Sequence, residues 1–335
     1  MRYLSLFSGI GAFEKALKNI GIDIELVGFS EIDKYAIKSY CAIHGVDESL
    51  NLGDISKIDL DSLPSDIDLI THGSPCQDFS VAGLQAGGDK GAGTRSSLMW
   101  CTVDIVERTR PKYVIWENVK NLLSSKHRHN FDGYIKVMES LGYSSYYKVL
   151  DAKDYGMPQH RERVYTISIR KDIDTSYKFP EPMELKLRLK DMLENEVDEK
   201  YYLDSERTEK LIDEFLSRVV EDLKDPKCVR IGGIFDTEKS KHQAGSIYDK
   251  EGLCSTLDVA QGGWRQPSVI VKDRIRKLTP LEYWRLMGFG DKDFERAAGV
   301  PTSNTQLYKQ AGNSIVVNVL EKIFKNLFEK KSWYK

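Results

Sequence analysis

The sequence predicts an α/β fold: a doubly wound, mostly parallel sheet, followed by a smaller β-rich module. Three observations carry this. Across residues 1–170, short runs rich in β-branched and aromatic residues alternate with amphipathic stretches, the pattern of strands joined by crossover helices. Beyond Arg170 the texture changes to a charged, acidic segment and then to a glycine-rich, net-basic one. Near the C-terminus, Ile315, Val319, Ile323 and Leu327 recur at four-residue spacing, which is one apolar face of a last helix.

The elements follow in order. Residues 3–7 (YLSLF) read as a strand and 12–19 as a helix. Residues 24–29 (IELVGF) form a second strand and 34–43 a second helix. A third short strand is expected in Leu52-Gly53-Asp54-Ile55. Residues 68–72 (DLITH) and 113–116 (YVIW) are further strands; 134–141 is helical, and 145–150 and 164–169 are extended. In the acidic segment, Leu203, Leu211, Ile212, Phe215 and Leu216 have helical spacing. Residues 280–287 make a helix with Pro280 at its start, and 314–328 the terminal helix.

Three parts are expected: residues 1–180 with 305–335, residues 181–290, and residues 291–335 packing back on the first part. The chain has 335 residues, 41% hydrophobic and 30% charged, which excludes collagen, coiled coil and wholesale disorder. No apolar run reaches the roughly 18 residues of a membrane span, and the N-terminal stretch lacks the pattern of a secretory signal. The net charge of −2 speaks against a purely electrostatic nucleic-acid binder but leaves room for a local basic face. Five cysteines without a C-x-x-C pair fit a reducing cytoplasm and give no structural zinc site; no metal is expected.

Chemistry concentrates where strands end, since ligands of doubly wound sheets bind at the carboxyl edge. Phe7-Ser8-Gly9-Ile10-Gly11 closes the first strand, and its glycines allow a ligand close to the backbone and to free helix N–H groups. A dinucleotide fingerprint would place a third glycine where Glu14 stands; the same two glycines also suit a plain strand–helix turn. Glu31 follows the second strand, about 20 residues on, where an acid accepts both ribose hydroxyls or simply caps a helix. Asp54 is placed to approach an adenine amino group. Together these favour an adenosine cofactor without a pyrophosphate.

Gly73-Ser74-Pro75-Cys76-Gln77-Asp78-Phe79-Ser80 follows the strand at 68–72. A cysteine at that edge, held by proline, is placed as a nucleophile; an isolated cysteine is otherwise a small core residue. Gly83, Gly87, Gly88, Gly91 and Gly93 follow it and imply a mobile lid. Glu117, in Trp116-Glu117-Asn118-Val119, ends a strand at the same edge, where a carboxylate can assist covalent addition. Arg161 and Arg163 alternate along an extended entry to another strand, suited to a phosphate or base edge, or to a surface ion pair.

These segments, in this order, resemble the DNA (cytosine-5)-methyltransferases of the bacterial and phage restriction–modification type. The likeness continues through Gln159-His160-Arg161-Glu162-Arg163, then residues 276–289 (RKLTPLEYWRLMGF), then 306–320 (QLYKQAGNSIVVNVL). It departs at Ile32, where many members place an aromatic against the adenine, and at Gly290, where proline is common.

The resemblance implies a Rossmann-like domain dependent on S-adenosyl-L-methionine, with S-adenosyl-L-homocysteine as product. Phe7, Ser8, Gly9, Gly11, Glu31, Ile32, Asp54, Ile55, Gly73, Pro75, Asn313 and Ser314 would bind the cofactor. Cys76 would add to C6 of a cytosine flipped out of double-stranded DNA, Glu117 would meet N3, Arg163 would hold O2, and Arg161 would help place these groups. The divergent stretch after Arg163, closed by Ser255-Thr256-Leu257, would carry target recognition, with Gln77, Ser80, Arg95, Lys239, Lys241, Gln243 and Arg265 as candidate DNA contacts. The expected setting is a cytoplasmic, nucleoid-associated monomer, without a membrane, alongside a cognate restriction endonuclease. An RNA cytosine methyltransferase of the same fold, a non-catalytic DNA-binding relative and a nicotinamide oxidoreductase stand as alternatives.

Overall fold

A computed structural model describes residues 1–75, 95–174, 176–203, 212, 227–237, 239–260 and 263–328. The chain forms two units. One comprises Met1–Leu150, Glu162–Glu181 and Val319–Lys335; the other comprises Asp151–Arg161 and Pro182–Asn318. Composition places a boundary between 180 and 181. In the structure Glu181 closes one stretch of the first unit and Pro182 opens one of the second, with residues 151–161 and 291–318 in the second.

In the first unit, β1 (Arg2–Leu6), β2 (Glu25–Ser30), β3 (Leu69–His72), β4 (Tyr113–Val119), β5 (Tyr143–Asp151) and β6 (Glu162–Arg170) form one sheet in the order β2-β1-β3-β4-β6-β5. β1 runs parallel to β2 and β3, and β3 runs parallel to β4. β6 is antiparallel to β4. That reversal brings the start of β6 to the edge where β1, β3 and β4 end.

Alternation along these strands separates two faces. Leu4, Ile70 and Val114 lie in register on one, with Leu6, His72 and Trp116 in the next row. They pack on α3 (Met99–Thr109) and α4 (Arg128–Ser140) through Val103, Val106, Phe131, Tyr134 and Met138. Tyr3, Leu69 and Tyr113 share the opposite face. There Phe328 of the C-terminal helix meets Tyr113 edge-on, and Phe324 meets Phe13 of α1 (Ala12–Asn19). Helices therefore cover both faces, as the strand–helix alternation predicts. α2 (Lys34–His44) starts at Asp33, whose side chain accepts from the Tyr35 and Ala36 N–H groups, and stops at Gly45, with φ of 69°.

The third strand expected at residues 52–55 does not form. Asn51 makes only an isolated bridge to Phe29. Gly53 then turns with φ of 71°, and Asp54 caps a short 3-10 turn, Ile55–Lys57. A left-handed residue followed by a side-chain cap cannot continue a ladder. The helix expected at 134–141 begins earlier, at Arg128, and the terminal helix begins at Val317.

The second unit holds a four-stranded sheet of β7 (Arg230–Gly233), β8 (Ser246–Tyr248), β9 (Ser268–Val271) and β10 (Arg274–Lys277), in the order β10-β9-β8-β7. One apolar cluster of this unit is Leu203, Ile212, Ile234, Ile247 and Ile275, with Ile231, Trp264 and Ile270 against it. α5 (Pro280–Leu286) follows a capping box of Thr279 and Glu282. Two further helices, α6 (Asp291–Ala298) and α7 (Asn304–Asn313), lie in a stretch where apolar spacing alone marks none; Asp293 and Ser303 provide their start signals. α8 is the terminal helix, Val317–Phe328. Leu211, Phe215 and Leu216 lie outside the described residues.

Candidate active site

In the first unit the glycine turn leaves β1 through three positive φ angles: 53° at Phe7, 55° at Gly9 and 79° at Gly11. Ser8 N–H donates to the Ser30 carbonyl at 3.1 Å, which ties the turn to the end of β2. A Cβ on Gly9 would meet nothing within 4 Å, so the turn is open there to a ligand. Glu31 stands beside it. One carboxylate oxygen, Oε2, accepts from Gly9 N–H at 2.9 Å, while Oε1 accepts from the Ile32 and Asp33 N–H groups at 2.8 and 2.9 Å. These bonds fix the carboxylate, and Oε2 keeps a lone pair for a further donor.

Asn51 completes this edge. Its Oδ1 accepts from Glu31 N–H and Gly53 N–H, both at 3.1 Å, and its Nδ2 donates to the Glu31 carbonyl. It thus joins Glu31 to the turn bearing Asp54. Asp54 Oδ1 accepts from Ser56 N–H and Oγ–H, which hold its carboxyl below the usual carboxylate range. Ile55 is buried, whereas Ile32 is 74% exposed, an unusually open position for an isoleucine. The residues present fit an adenosyl group: an open glycine turn, a fixed acceptor for ribose and an exposed apolar side chain beside it.

At the ends of β3 and β4 the chain prepares a second cluster. Ser74, before Pro75, is buried; its Oγ accepts from the Trp116 indole N–H at 2.9 Å and its carbonyl from Asn118 Nδ2 at 3.1 Å. Gly73 and Pro75 flank it, half-buried. Between Trp116 and Asn118, Glu117 points to the opposite face of the sheet. Val119 is in register with Arg163 of β6, so Glu117 and Arg163 are diagonal neighbours on one face. Arg163 Nε lies 3.2 Å from Glu117 Oε1, with side-chain exposures of 16% and 11%. Arg163 Nη1 donates to the Glu162 carbonyl, and among the described residues Nη2 makes no hydrogen bond. A near-buried carboxyl beside a guanidinium with donor capacity left can hold a polar ring at two points.

A family description matches almost the entire chain: C-5 cytosine-specific DNA methylase, over residues 1–329. The chain belongs to this family. It is 36% identical to the orphan methyltransferase M.SPBetaI of Bacillus phage SPbeta, over 98% of this chain and 97% of the relative. It is 34% identical to the type II methyltransferase M.HhaI of Haemophilus parahaemolyticus, over 98% and 94%. The S. pombe Dnmt2 methyltransferase structure superposes with a TM-score of 0.74 at 21% identity, covering 99% of each chain. A methyltransferase encoded in an E. coli prophage gives 0.67 at 20%, over 98% of this chain and 99% of that one. The alignment to the SPbeta protein spans 434 positions against 335 residues here, so that relative carries insertions which this family member lacks.

The remaining residues singled out from the sequence fall as follows. Cys76, Gln77 and Ser80 lie outside the described residues. Arg95 opens a short 3-10 turn, Arg95–Leu98; its side chain is outside the description. In the second unit, Arg161 is 4% exposed and gives Nη1 to the Leu257 carbonyl at 2.9 Å and Nη2 to the Gly312 and Ser314 carbonyls at 3.0 and 2.8 Å. A Cβ on Gly312 would sit 2.1 Å from the Asp258 carbonyl oxygen, so glycine is required there. Asn313 is exposed and Ser314 buried.

Lys239, Lys241, Gln243 and Arg265 are all exposed, and among the described residues the three cations form no ion pair. The loop carrying Lys239, Lys241 and Gln243 is held from below. Arg230 Nη2 donates to Asp236 and to the His242 carbonyl, and its Nε donates to Ser246 Oγ at 2.8 Å. Sequence reading missed Asn51, Ser74 and Arg230. Asn51-Leu52-Gly53-Asp54 offers a turn signal, but an amide's long-range partners leave no local trace. Among the described residues no three of His, Cys, Asp or Glu gather as metal ligands would, and no helix is long and apolar enough to cross a membrane.

Proposed function

We propose that this chain methylates C5 of a cytosine flipped out of a specific double-stranded DNA sequence, using S-adenosyl-L-methionine, and so protects DNA from a cognate restriction enzyme. The observation that carries the reading is the Glu117–Arg163 pair, 3.2 Å apart, at the sheet edge that also bears the glycine turn and Glu31. Bound S-adenosyl-L-methionine supplies the methyl group. Phe7, Ser8, Gly9, Gly11, Glu31, Ile32, Asp54, Ile55, Gly73 and Pro75 hold it, with Asn313 and Ser314 assigned by motif order. Glu31 takes the ribose hydroxyls, Asp54 the adenine amino group, and Ile32 the adenine face.

On the DNA side the Cys76 thiolate forms a bond to C6, which turns C5 into a carbon nucleophile. Glu117 hydrogen-bonds N3 and stabilises the charge developing there. Arg163 donates to O2 through its guanidinium. After methylation, loss of the C5 proton and elimination of Cys76 restore the aromatic ring. Arg161 acts at a distance, by holding the Leu257, Gly312 and Ser314 backbone. Extrusion of the base costs a few kcal/mol. Gln77, Ser80, Arg95, Lys239, Lys241, Gln243 and Arg265 contact the duplex, with residues 181–290 as the recognition module.

Transfer of labelled methyl groups to duplex DNA and to tRNA tests this directly. Duplex DNA is expected to be labelled and tRNA not; the reverse would establish the RNA enzyme. Cys76→Ala should abolish transfer while retaining cofactor binding. Glu117→Gln should lower it by roughly 10²–10⁴-fold. Full activity in either variant would overturn the mechanism. Bisulfite sequencing of DNA from expressing cells reads the recognition site.

A further inference from the structure

The glycine turn is a strained segment, with three positive φ angles in five residues, one of them on Phe7, where a side chain disfavours it. Something outside the turn must hold that shape. α2 provides two bonds that straddle Gly11. On one side His44 Nε2 lies 3.0 Å from the Ile10 carbonyl oxygen. On the other, Tyr40 O–H donates to Glu14 Oε1 at 2.7 Å, and Glu14 is buried in the first turn of α1.

Between them Gly11 touches α2 so closely that an added Cβ would fall 2.1 Å from His44 Nε2 and 2.9 Å from Tyr40 Cε2. The two rings are themselves fixed. Tyr40 stacks on Phe29 of β2 at 4.2 Å and packs on His44 at 4.7 Å between ring centroids. Tyr40 and His44 are one helical turn apart and so face the same side. The strand before Glu31, the helix after it and the turn opposite it are thereby tied together.

We propose that Tyr40 and His44 are positioning residues that set the affinity for the adenosyl cofactor by holding the Phe7–Gly11 turn in its binding shape. Neither touches the ligand in this scheme. His44 acts through the Ile10 carbonyl, for which its Nε2 must carry the proton, and Tyr40 acts through Glu14. The inference rests on the reading of this turn as an S-adenosyl-L-methionine site.

Titration calorimetry of the intact protein with S-adenosyl-L-methionine, without DNA, separates the two claims. Wild type that takes up none of it overturns the site reading itself. Given wild-type binding, His44→Ala and His44→Phe should each bind about 5- to 10-fold more weakly, the worth of one hydrogen bond. His44→Phe keeps a ring against Tyr40, so it reads the same bond if His44→Ala does not fold. His44→Gln keeps a donor and should bind within about twofold of wild type. DNA affinity measured by anisotropy without cofactor should be unchanged in all three. Wild-type cofactor affinity in a folded His44→Ala or His44→Phe, or a His44→Gln as weak as they are, would overturn the clamp.

Discussion

In the first unit, Leu4, Ile70 and Val114 lie in register against Val103, Phe131 and Met138, an apolar sheet face under two helices. In the second unit, apolar side chains such as Tyr283, Trp284 and Tyr308 are buried together with charge. Arg276 and Glu282 pair through two bonds at 2.8 and 2.6 Å with side-chain exposures of 1% and 0%, and Glu282 also accepts from the Thr279 and Glu194 N–H groups. Arg161 is spent on three carbonyls, and Arg230 on Asp236 and the neighbouring loop. Apolar layers tolerate small changes of volume, whereas a hydrogen-bonded ion pair loses everything when one partner goes. The second unit also buries Tyr283, Trp284, Leu286 and Tyr308, so these bonds add direction to its apolar packing.

The sharpest break in this comparison is Arg276→Met. It leaves a buried carboxylate without its cation and should cost about 3–5 kcal/mol in urea unfolding. Adding Glu282→Leu should return much of that loss. A single variant that loses less than about 1 kcal/mol would remove the contrast between the units.

His72 tests a buried titratable group of the first unit. It is fully buried, stacks on Trp116 and approaches Tyr134 O–H at 3.3 Å. Burial pushes its pKa down to about 3. The unfolded ring takes a proton below about pH 6.5 and the folded one does not. Stability is therefore full above about pH 6.5 and falls as pH drops towards 3, by about 2 kcal/mol at pH 5. His72→Phe should flatten that slope; unfolding curves at pH 7 and pH 5 compare the two proteins.

The smallest effect is expected from Ile70→Val, which removes one methylene from the central row. It should cost about 1 kcal/mol with methyl transfer unchanged. A loss of several kcal/mol would show that this core is as intolerant as the ion pair.

Much of the first unit was legible because its strands and helices repeat at their own periods: β1, β2, α2 and β4 fall where the apolar spacing puts them. Glu31 was legible from its place after β2, whereas Glu117, expected where a strand ends at Trp116, lies within β4, which runs on to Val119. The second unit was less legible. Its strands are three or four residues long, too short for alternation to stand out, and α6 and α7 are short, burying only a few apolar residues such as Ala297, Leu307, Tyr308 and Ala311. The supposed strand around Asp54 failed because Gly53 and the aspartate cap turn the chain, a preference that outweighs a few apolar neighbours.

By itself the sequence determined the strand–helix alternation, the glycine turn, the carboxyl-edge placement of Glu31 and Glu117, and the motif order of the C-5 cytosine-specific DNA methylase family. Each is a local property, set by side-chain period or by residues within a few positions. Only the tertiary structure decided that β6 runs against β4, which sets Arg163 beside Glu117 while Arg161, two residues earlier, is consumed by backbone carbonyls. It also decided that Tyr40 and His44 brace the glycine turn. Strand direction and long-range hydrogen bonds depend on which distant groups must be paired once water is excluded, and no local period records that.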